Sequence, residues 1–468
     1  MKERSKFLIK NMGILTISNF SSKILVFLLV PLYTSVLTTS EYGIYDLVIS
    51  TASLLFPILT LNITDAVMRF LMEKNKDKNS IAMIGIKYVL LSSFFIAVFL
   101  YINGRLYVWQ EICGLEIYIF LYYLSYVFNQ FFIQFAKGNE HVFDMGVAAV
   151  LSTVIMIGGN VLFLSIFRWG LRGFLTATIV SQALPAAYFF IRLRFWSYLK
   201  SLKTDEHLHR EMLVYCVPLI ATTVGWWMNS AADKYVVTFI CGIAANGVLA
   251  VAYKIPQILN TLQGIFIQAW QISAIKEYGK GEAGLFYGEI FSVVILLMSA
   301  ACAWLIFLSK PLASILYAKD FYVAWKYVPF LLISSVLNCA SGLLGPILSA
   351  QKDSRSMAEA AICGALANGG MNIVFVLIIG IQGAAIATVL SSLIIYLIRK
   401  KKVGMGIQIN GYRAVLVTWM FLCVQAVLEI YTPFWYAELV LMLVMLWINR
   451  MGIKKLFYTA KSVLIRNK

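Results

Sequence analysis

Apolar residues fill runs of about 20 along almost the whole chain, separated by short polar segments, as helices crossing a hydrocarbon core about 30 Å thick require. The pattern predicts fourteen spans, beginning near residues 12, 45, 82, 116, 145, 172, 213, 241, 285, 327, 357, 381, 413 and 435. Stretches such as "AVLVTWMFLCVQAVL" (414–428) are continuously apolar, whereas strands of a transmembrane barrel alternate polar and apolar positions. The expected fold class is therefore an all-α polytopic membrane protein. At the N-terminus a basic end leads into an apolar run, but no small-x-small cleavage site follows and Lys23 interrupts it. It reads as a first helix rather than a signal peptide.

The polar positions also repeat. "GLRGFLTATIVS" (170–181) returns as "GIQGAAIATVLS" (380–391), with Gly, Gly, Ala, Thr and Ser identical at an offset of 210 residues. The preceding "GGNVLF" (158–163) matches "GGMNIVF" (369–375) with one insertion, and "EYGIYDLVIS" (41–50) more weakly matches "ANGVLAVAYK" (245–254) at an offset of 204. Two six-helix bundles are expected, over residues 1–200 and 201–400, with two further helices and a basic tail in 401–468. Six spans per bundle make the repeats parallel, and two such bundles would enclose a central cleft suited to alternating access.

Composition agrees with the membrane reading: 61% of residues are hydrophobic and only 13% charged, against about 25% charged in ordinary soluble domains. The net charge of +17 follows from loop placement. With the N-terminus inside, cytoplasmic segments hold 28 of the 39 Lys and Arg, an N-in, C-in arrangement by the positive-inside rule. Basic loops facing anionic lipid account for the charge without nucleic acid. The seven cysteines are scattered, with no CxxC or zinc-ligand spacing, and no cofactor is implied.

Ionisable residues inside spans are costly, so they face a partner, a wet cavity or the interface. Asn19 and Lys23 lie four apart on the first span; Lys23 is a cavity cation or a snorkelling one. On the second, Asp46, Ser50, Ser53, Pro57, Thr60 and Thr64 share one face at helical spacing, with Pro57 expected to kink it. Asp65 and Arg69, also four apart, can pair with each other for structural or functional reasons. The seventh span aligns Thr222, Trp226, Asn229 and Asp233, and the eighth aligns Tyr253, Gln257, Asn260, Gly264, Gln268 and Gln271 beside Lys254. Aromatic and amide groups on one face suit hydroxyl-rich cargo; an aromatic belt and interhelical hydrogen bonding are the plainer readings. Glu429 and Glu438 stand near span ends and are expected at the interface. The sequence lacks GxxxxGK[ST], HExxH, DxD and GxSxG motifs, which disfavours an ATPase or a metalloprotease, and its predicted outer loops, 103–115 and 310–326 the largest, are short for the catalytic groups of a membrane-bound polymerase or ligase.

The opening 11–48, the segment "VPLIATTVGWWMNSAADKYVV" (217–237) and the two G-x-x-G-x-x-x-A-T-x-x-S motifs together resemble the Wzx-type oligosaccharide flippases. These form the polysaccharide-transporter branch of the superfamily that also contains the multidrug and toxic-compound extruders and the lipid II flippase. The resemblance implies a non-enzymatic flippase of the bacterial plasma membrane. Its substrate would be an undecaprenyl-pyrophosphate-linked oligosaccharide for O-antigen, lipopolysaccharide or capsule, and a polymerase with its chain-length machinery would be partners besides the membrane lipids. It further implies Lys23, Arg69 and Lys254 as pyrophosphate contacts. Asn19, Trp226, Asn229, Tyr253, Gln257, Asn260 and Gln268 would be sugar contacts, and Asp65 and Asp233 would tune charge or couple to protons or sodium. Because Trp227 stands where the second half would need a match for Lys23, no symmetric phosphate clamp is implied. A cation-coupled multidrug extruder of the same fold is the alternative.

Overall fold

A computed structural model describes residues 27–73, 76–200, 205–279, 283–404, 407, 412–432 and 434–450. The elements described are helices, with no strand among them. In chain order they are α1 (Val30–Val36), α2 (Thr39–Leu59), α3 (Ile63–Leu71), α4 (Lys78–Leu106), α5 (Glu116–Gly138), α6 (Val142–Asn160), α7 (Gly170–Arg192), α8 (Glu206–Cys241) and α9 (Ile243–Ala252). There follow α10 (Pro256–Glu277), α11 (Ala283–Phe307), α12 (Ser309–Leu316), α13 (Val328–Ala350), α14 (Ser354–Ile379), α15 (Ile381–Val403), α16 (Tyr412–Tyr431) and α17 (Trp435–Ile448). Every predicted span after the first coincides with one or more of these helices. Among the described residues nine helices are long and apolar enough to cross a membrane, or ten if Glu206–Gly225 and Ser230–Cys241 form one span bent by 55°. The predicted eighth span is not continuous: it divides into α9 and α10.

The chain forms two compact units, Met1–Trp227 and Met228–Lys468, meeting inside α8. In the first, Phe131, Phe132 and Phe135 of α5 meet the ring of Phe195 edge-on, with centroids 5.1–5.6 Å apart. In the second, α13 is the central element, with 89% of its apolar window buried. Pro346 inside α13 has no N–H to offer the carbonyl one turn earlier. Arg399 of α15 reaches the same stretch, its Nη1 donating to the Ser341 carbonyl at 2.9 Å. Counted by sequence among the cytoplasmic-side cations, Arg399 is instead buried, its guanidinium taken up by the Ser341 carbonyl.

The internal repeat has a physical basis in each unit. Gly170 and Gly380, the first glycines of the two motifs, both take a left-handed φ, +55° and +60°, which glycine adopts without steric cost. A Cβ on the second glycine of each motif would lie 2.9 Å from the Phe163 carbonyl oxygen at Gly173 and 2.2 Å from that of Phe375 at Gly383. These are the phenylalanines that close the matching "GGNVLF" and "GGMNIVF" stretches. Downstream, Thr178 and Thr388 bond back to the carbonyls of Phe174 and Ala384, and Ser181 and Ser391 to those of Thr178 and Thr388. The weaker repeat keeps register too, since α2 starts at Thr39 and α9 at Ile243.

Caps fix where several helices begin. Thr38 and Glu41 form a reciprocal capping box at α2. At α4, Asp77 accepts from the amides of Asn79 and Ser80 at 3.0 and 3.2 Å and from the Ser80 hydroxyl at 2.7 Å. The Ser80 hydroxyl, followed by those amides, holds the Asp77 carboxyl below its usual range. A carboxyl depressed by folding contributes stability that is present above its unfolded pKa and is lost as pH falls through the depressed value. Asp77→Ala should therefore lower stability by about 1 kcal/mol near neutral pH, and the gap should shrink below about pH 4. Thermal melting of both proteins across that range checks this; a gap that does not change with pH would contradict it.

Candidate functional site

In the second unit, Gly242 ends α8 with φ +91°, and the chain doubles back as α9. At about 1.5 Å per residue the two arms, 233–242 and 242–253, span about 14 and 17 Å, so the hairpin returns Tyr253 to the level of Asp233. The Tyr253 hydroxyl donates to Asp233 Oδ2, and the Lys234 amide donates to Oδ1 at 3.0 Å. Asp233 is only 2% exposed. A carboxylate this deep persists only when hydrogen-bonded or paired.

Directly beyond this contact the helix breaks at residues 253–255. Pro256 at the start of α10 supplies no N–H, and the Lys254 amide bonds back only three residues, to Val251 at 2.9 Å. Lys254 thus sits half-buried in the break, next to the Tyr253 that holds the acid. The continuous polar stripe expected on the eighth span is corrected here, since Tyr253 belongs to the turn. The rest of the row, Gln257, Asn260, Gly264, Gln268 and Gln271, lies along the exposed face of α10. The opposite face buries Leu259, Trp270 and Ala274, with the Trp270 indole N–H donating to the Leu343 carbonyl at 2.9 Å.

In the first unit, α2 continues through Pro57 to Leu59 and the chain breaks just beyond it. Leu61 and Asn62 both take positive φ, 50° and 53°, which ends α2 and starts α3. Asn62 then donates to Asp65 Oδ2 at 2.9 Å, and Gln134 of α5 donates to Oδ1 at 2.9 Å. The expected pairing of Asp65 with Arg69 is corrected by this break: Asp65 is held by amides, and Arg69, exposed, pairs with Glu73 at 3.0 Å. The same break divides the polar face of the second span, leaving Asp46 to Thr60 on α2 and its end and Thr64 on α3. Ser50, Pro57, Thr60 and Thr64 are buried, and the Trp227 indole N–H donates to the Ser50 carbonyl at 3.0 Å and to Ser53 Oγ at 3.2 Å. Trp227, noted in the sequence only as a missing lysine, is thus a packing anchor.

Asn19 and Lys23 lie outside the described residues, as do the side chains of Trp226 and Asn229, whose backbone continues α8. Of the predicted contacts, Asp233 and Tyr253 come together, with Lys254 next to Tyr253 in the chain, while Gln257, Asn260 and Gln268 follow along α10. Asp65 and Arg69 do not join each other. Sequence reading missed Asn62 and Gln134, although an asparagine at the end of an apolar run that holds Pro57 is a signal for a left-handed break.

A model of the polysaccharide biosynthesis protein family matches residues 8–271. No curated protein sequence matches the chain. Among solved structures, the chain is similar to the lipid II flippase MurJ in an inward closed conformation, at 18% identity and a TM-score of 0.64, covering 95% of this chain and 98% of that one. An inward-facing multidrug resistance transporter of the MATE family, MOP superfamily, is similar at 14% identity and a TM-score of 0.64, covering 89% and 96%. A MOP superfamily transporter from Pyrococcus furiosus, described as having a binding pocket of reversed polarity, is similar at 14% identity and a TM-score of 0.58, covering 90% and 97%. The shared feature is the fold.

Proposed function

Since the chain belongs to the polysaccharide biosynthesis protein family, we propose that it is a flippase for polyprenyl-pyrophosphate-linked oligosaccharide. It carries the repeat unit of a surface polysaccharide, O-antigen or capsule, from the cytoplasmic to the outer leaflet of a bacterial plasma membrane by alternating access, with both termini cytoplasmic. The observation that carries this reading is the break at residues 253–255, where Lys254 follows the Tyr253 that holds the buried Asp233 and precedes a row of exposed amides.

Each part answers a need of the cargo. A pyrophosphate requires cations at membrane depth, and Lys254, with Lys23 and Arg69, supplies them. Sugars require hydrogen-bond partners in both senses, which Gln257, Asn260 and Gln268 offer through their amide oxygens and nitrogens, with Asn19, Trp226 and Asn229 as further contacts. Asp233 tunes the cation beside Tyr253 in the chain, and Asp233 or Asp65 exchanges a proton or sodium. A multidrug extruder on the same fold is the second reading, favoured by the buried acid at Asp233; it would carry a lipophilic cation and leave surface polysaccharide untouched.

Lys254→Gln should reduce polysaccharide export at least about tenfold while membrane abundance stays normal, because an amide cannot pair with phosphate as an ammonium does. Lys254→Arg should retain most export. Complementation of a deletion strain, scored by surface glycan, measures both, and wild-type export from Lys254→Gln would remove Lys254 from the site.

A further inference from the structure

The last two helices lie outside the internal repeat, yet they contain a compact group of buried polar side chains. Glu429 of α16 is 4% exposed and Glu438 of α17 is 2% exposed. Both were expected at the interface. They are instead turned inward, with their carboxyl groups within hydrogen-bonding reach of each other. Gln425, one turn before Glu429 on the same face and 0% exposed, donates from Nε2 to Glu438 Oε2 at 3.4 Å and to the Ala303 carbonyl of α11 at 3.0 Å. Its Oε1 is buried without a partner.

Lys310 of α12 lies 3.5 Å from Glu429 Oε2 and donates to the Glu429 carbonyl at 2.8 Å, while its ammonium sits 4.7 Å from the ring centre of Trp325. Ser309 donates to Glu429 Oε1 at 2.9 Å. On α11 the neighbouring ionisable group is Cys302, which faces Cys423 of α16. Among the described residues, Lys310 is thus the charged group that reaches the pair.

With both carboxylates ionised, the cluster would hold one uncompensated negative charge away from water, between two like charges in contact. We propose that Glu429 and Glu438 form a proton-binding site that holds one exchangeable proton between α16 and α17. Glu429 keeps the negative charge, because Lys310 and Ser309 both face it. Glu438 carries the proton. Its hydroxyl is positioned to donate to Glu429, while the Gln425 amide, oriented with its nitrogen outward by the Ala303 carbonyl, donates to Glu438 Oε2. Binding the proton therefore joins the two helices, and releasing it puts two like charges face to face. The pair titrates as a unit rather than as two independent acids.

Infrared difference spectroscopy on the full-length protein in lipid vesicles tests this. The wild type should show one protonated-carboxyl stretch at neutral pH that disappears as pH is raised, and Glu438→Gln should abolish it. Lys310→Met removes the one cation that reaches the pair among the described residues, so the band should persist to a higher pH; this variant also keeps the test alive if Glu438→Gln does not fold. Absence of the band in folded wild-type protein, or a band unchanged by both substitutions, would overturn the proposal. Loss of the band on adding sodium at constant pH would also overturn it, by identifying the ligand as a metal cation.

Discussion

Gly383→Ala is expected to lower stability by about 3 kcal/mol or more and to leave little folded protein. A Cβ there would lie 2.2 Å from the Phe375 carbonyl oxygen, 2.3 Å from its carbonyl carbon and 2.6 Å from the Val376 nitrogen. All three are backbone atoms of α14, so no rotamer change relieves the overlap, and the cost reaches the upper range for overpacking. Gly370 on the same helix would meet nothing within 4 Å. Gly370→Ala should therefore be neutral or gain up to about 1 kcal/mol, the ordinary helix preference for alanine. Gly173→Ala, with its nearest backbone atom at 2.9 Å, should fall between them. Thermal melting of the detergent-purified variants gives the ranking, and a Gly383→Ala protein that melts like wild type would contradict the packing described for α14 and α15.

Asp233→Asn is expected to cut export by about ten- to a hundredfold with little change in the amount of folded protein. The amide keeps the shape of the side chain but exchanges a charged acceptor of the Tyr253 hydroxyl for a neutral one, in a site only 2% exposed. Hydrogen bonds to charged groups contribute about 1.5–3 kcal/mol, and each 1.4 kcal/mol is about a factor of ten. Tyr253→Phe removes the donor and should give a loss in the same direction. Both variants are compared with wild type by surface glycan per unit of membrane protein. Normal export from both would separate Asp233 from transport and leave it a packing group.

The helices were legible because each must be a long apolar run, and the repeat was legible because its glycines answer to backbone geometry: Gly170 and Gly380 to a positive φ, Gly173 and Gly383 to a neighbouring carbonyl. What the sequence concealed was where helices stop. Periodicity carries the polar row of the eighth span smoothly through Tyr253, yet the chain breaks there for want of one N–H at Pro256. A spacing of four likewise fits Asp65 with Arg69 equally well whether or not the helix begins at Ile63; the left-handed Asn62 decides it by turning its own amide onto the acid. Glu429 and Glu438 were misread for a related reason. Nearness to a span end says nothing of which side of the helix faces the protein, and Gln425 four residues before Glu429 was the available sign of an inward polar face.

The flippase reading is tested most directly by deleting the gene and locating the undecaprenyl-pyrophosphate-linked oligosaccharide that remains, using a membrane-impermeant enzyme or lectin on intact spheroplasts and again after lysis. Completed repeat units should accumulate on the cytoplasmic face, reached only after lysis, and expression of the intact chain should clear them. Accumulation of completed, unpolymerised units on the outer face would contradict the account.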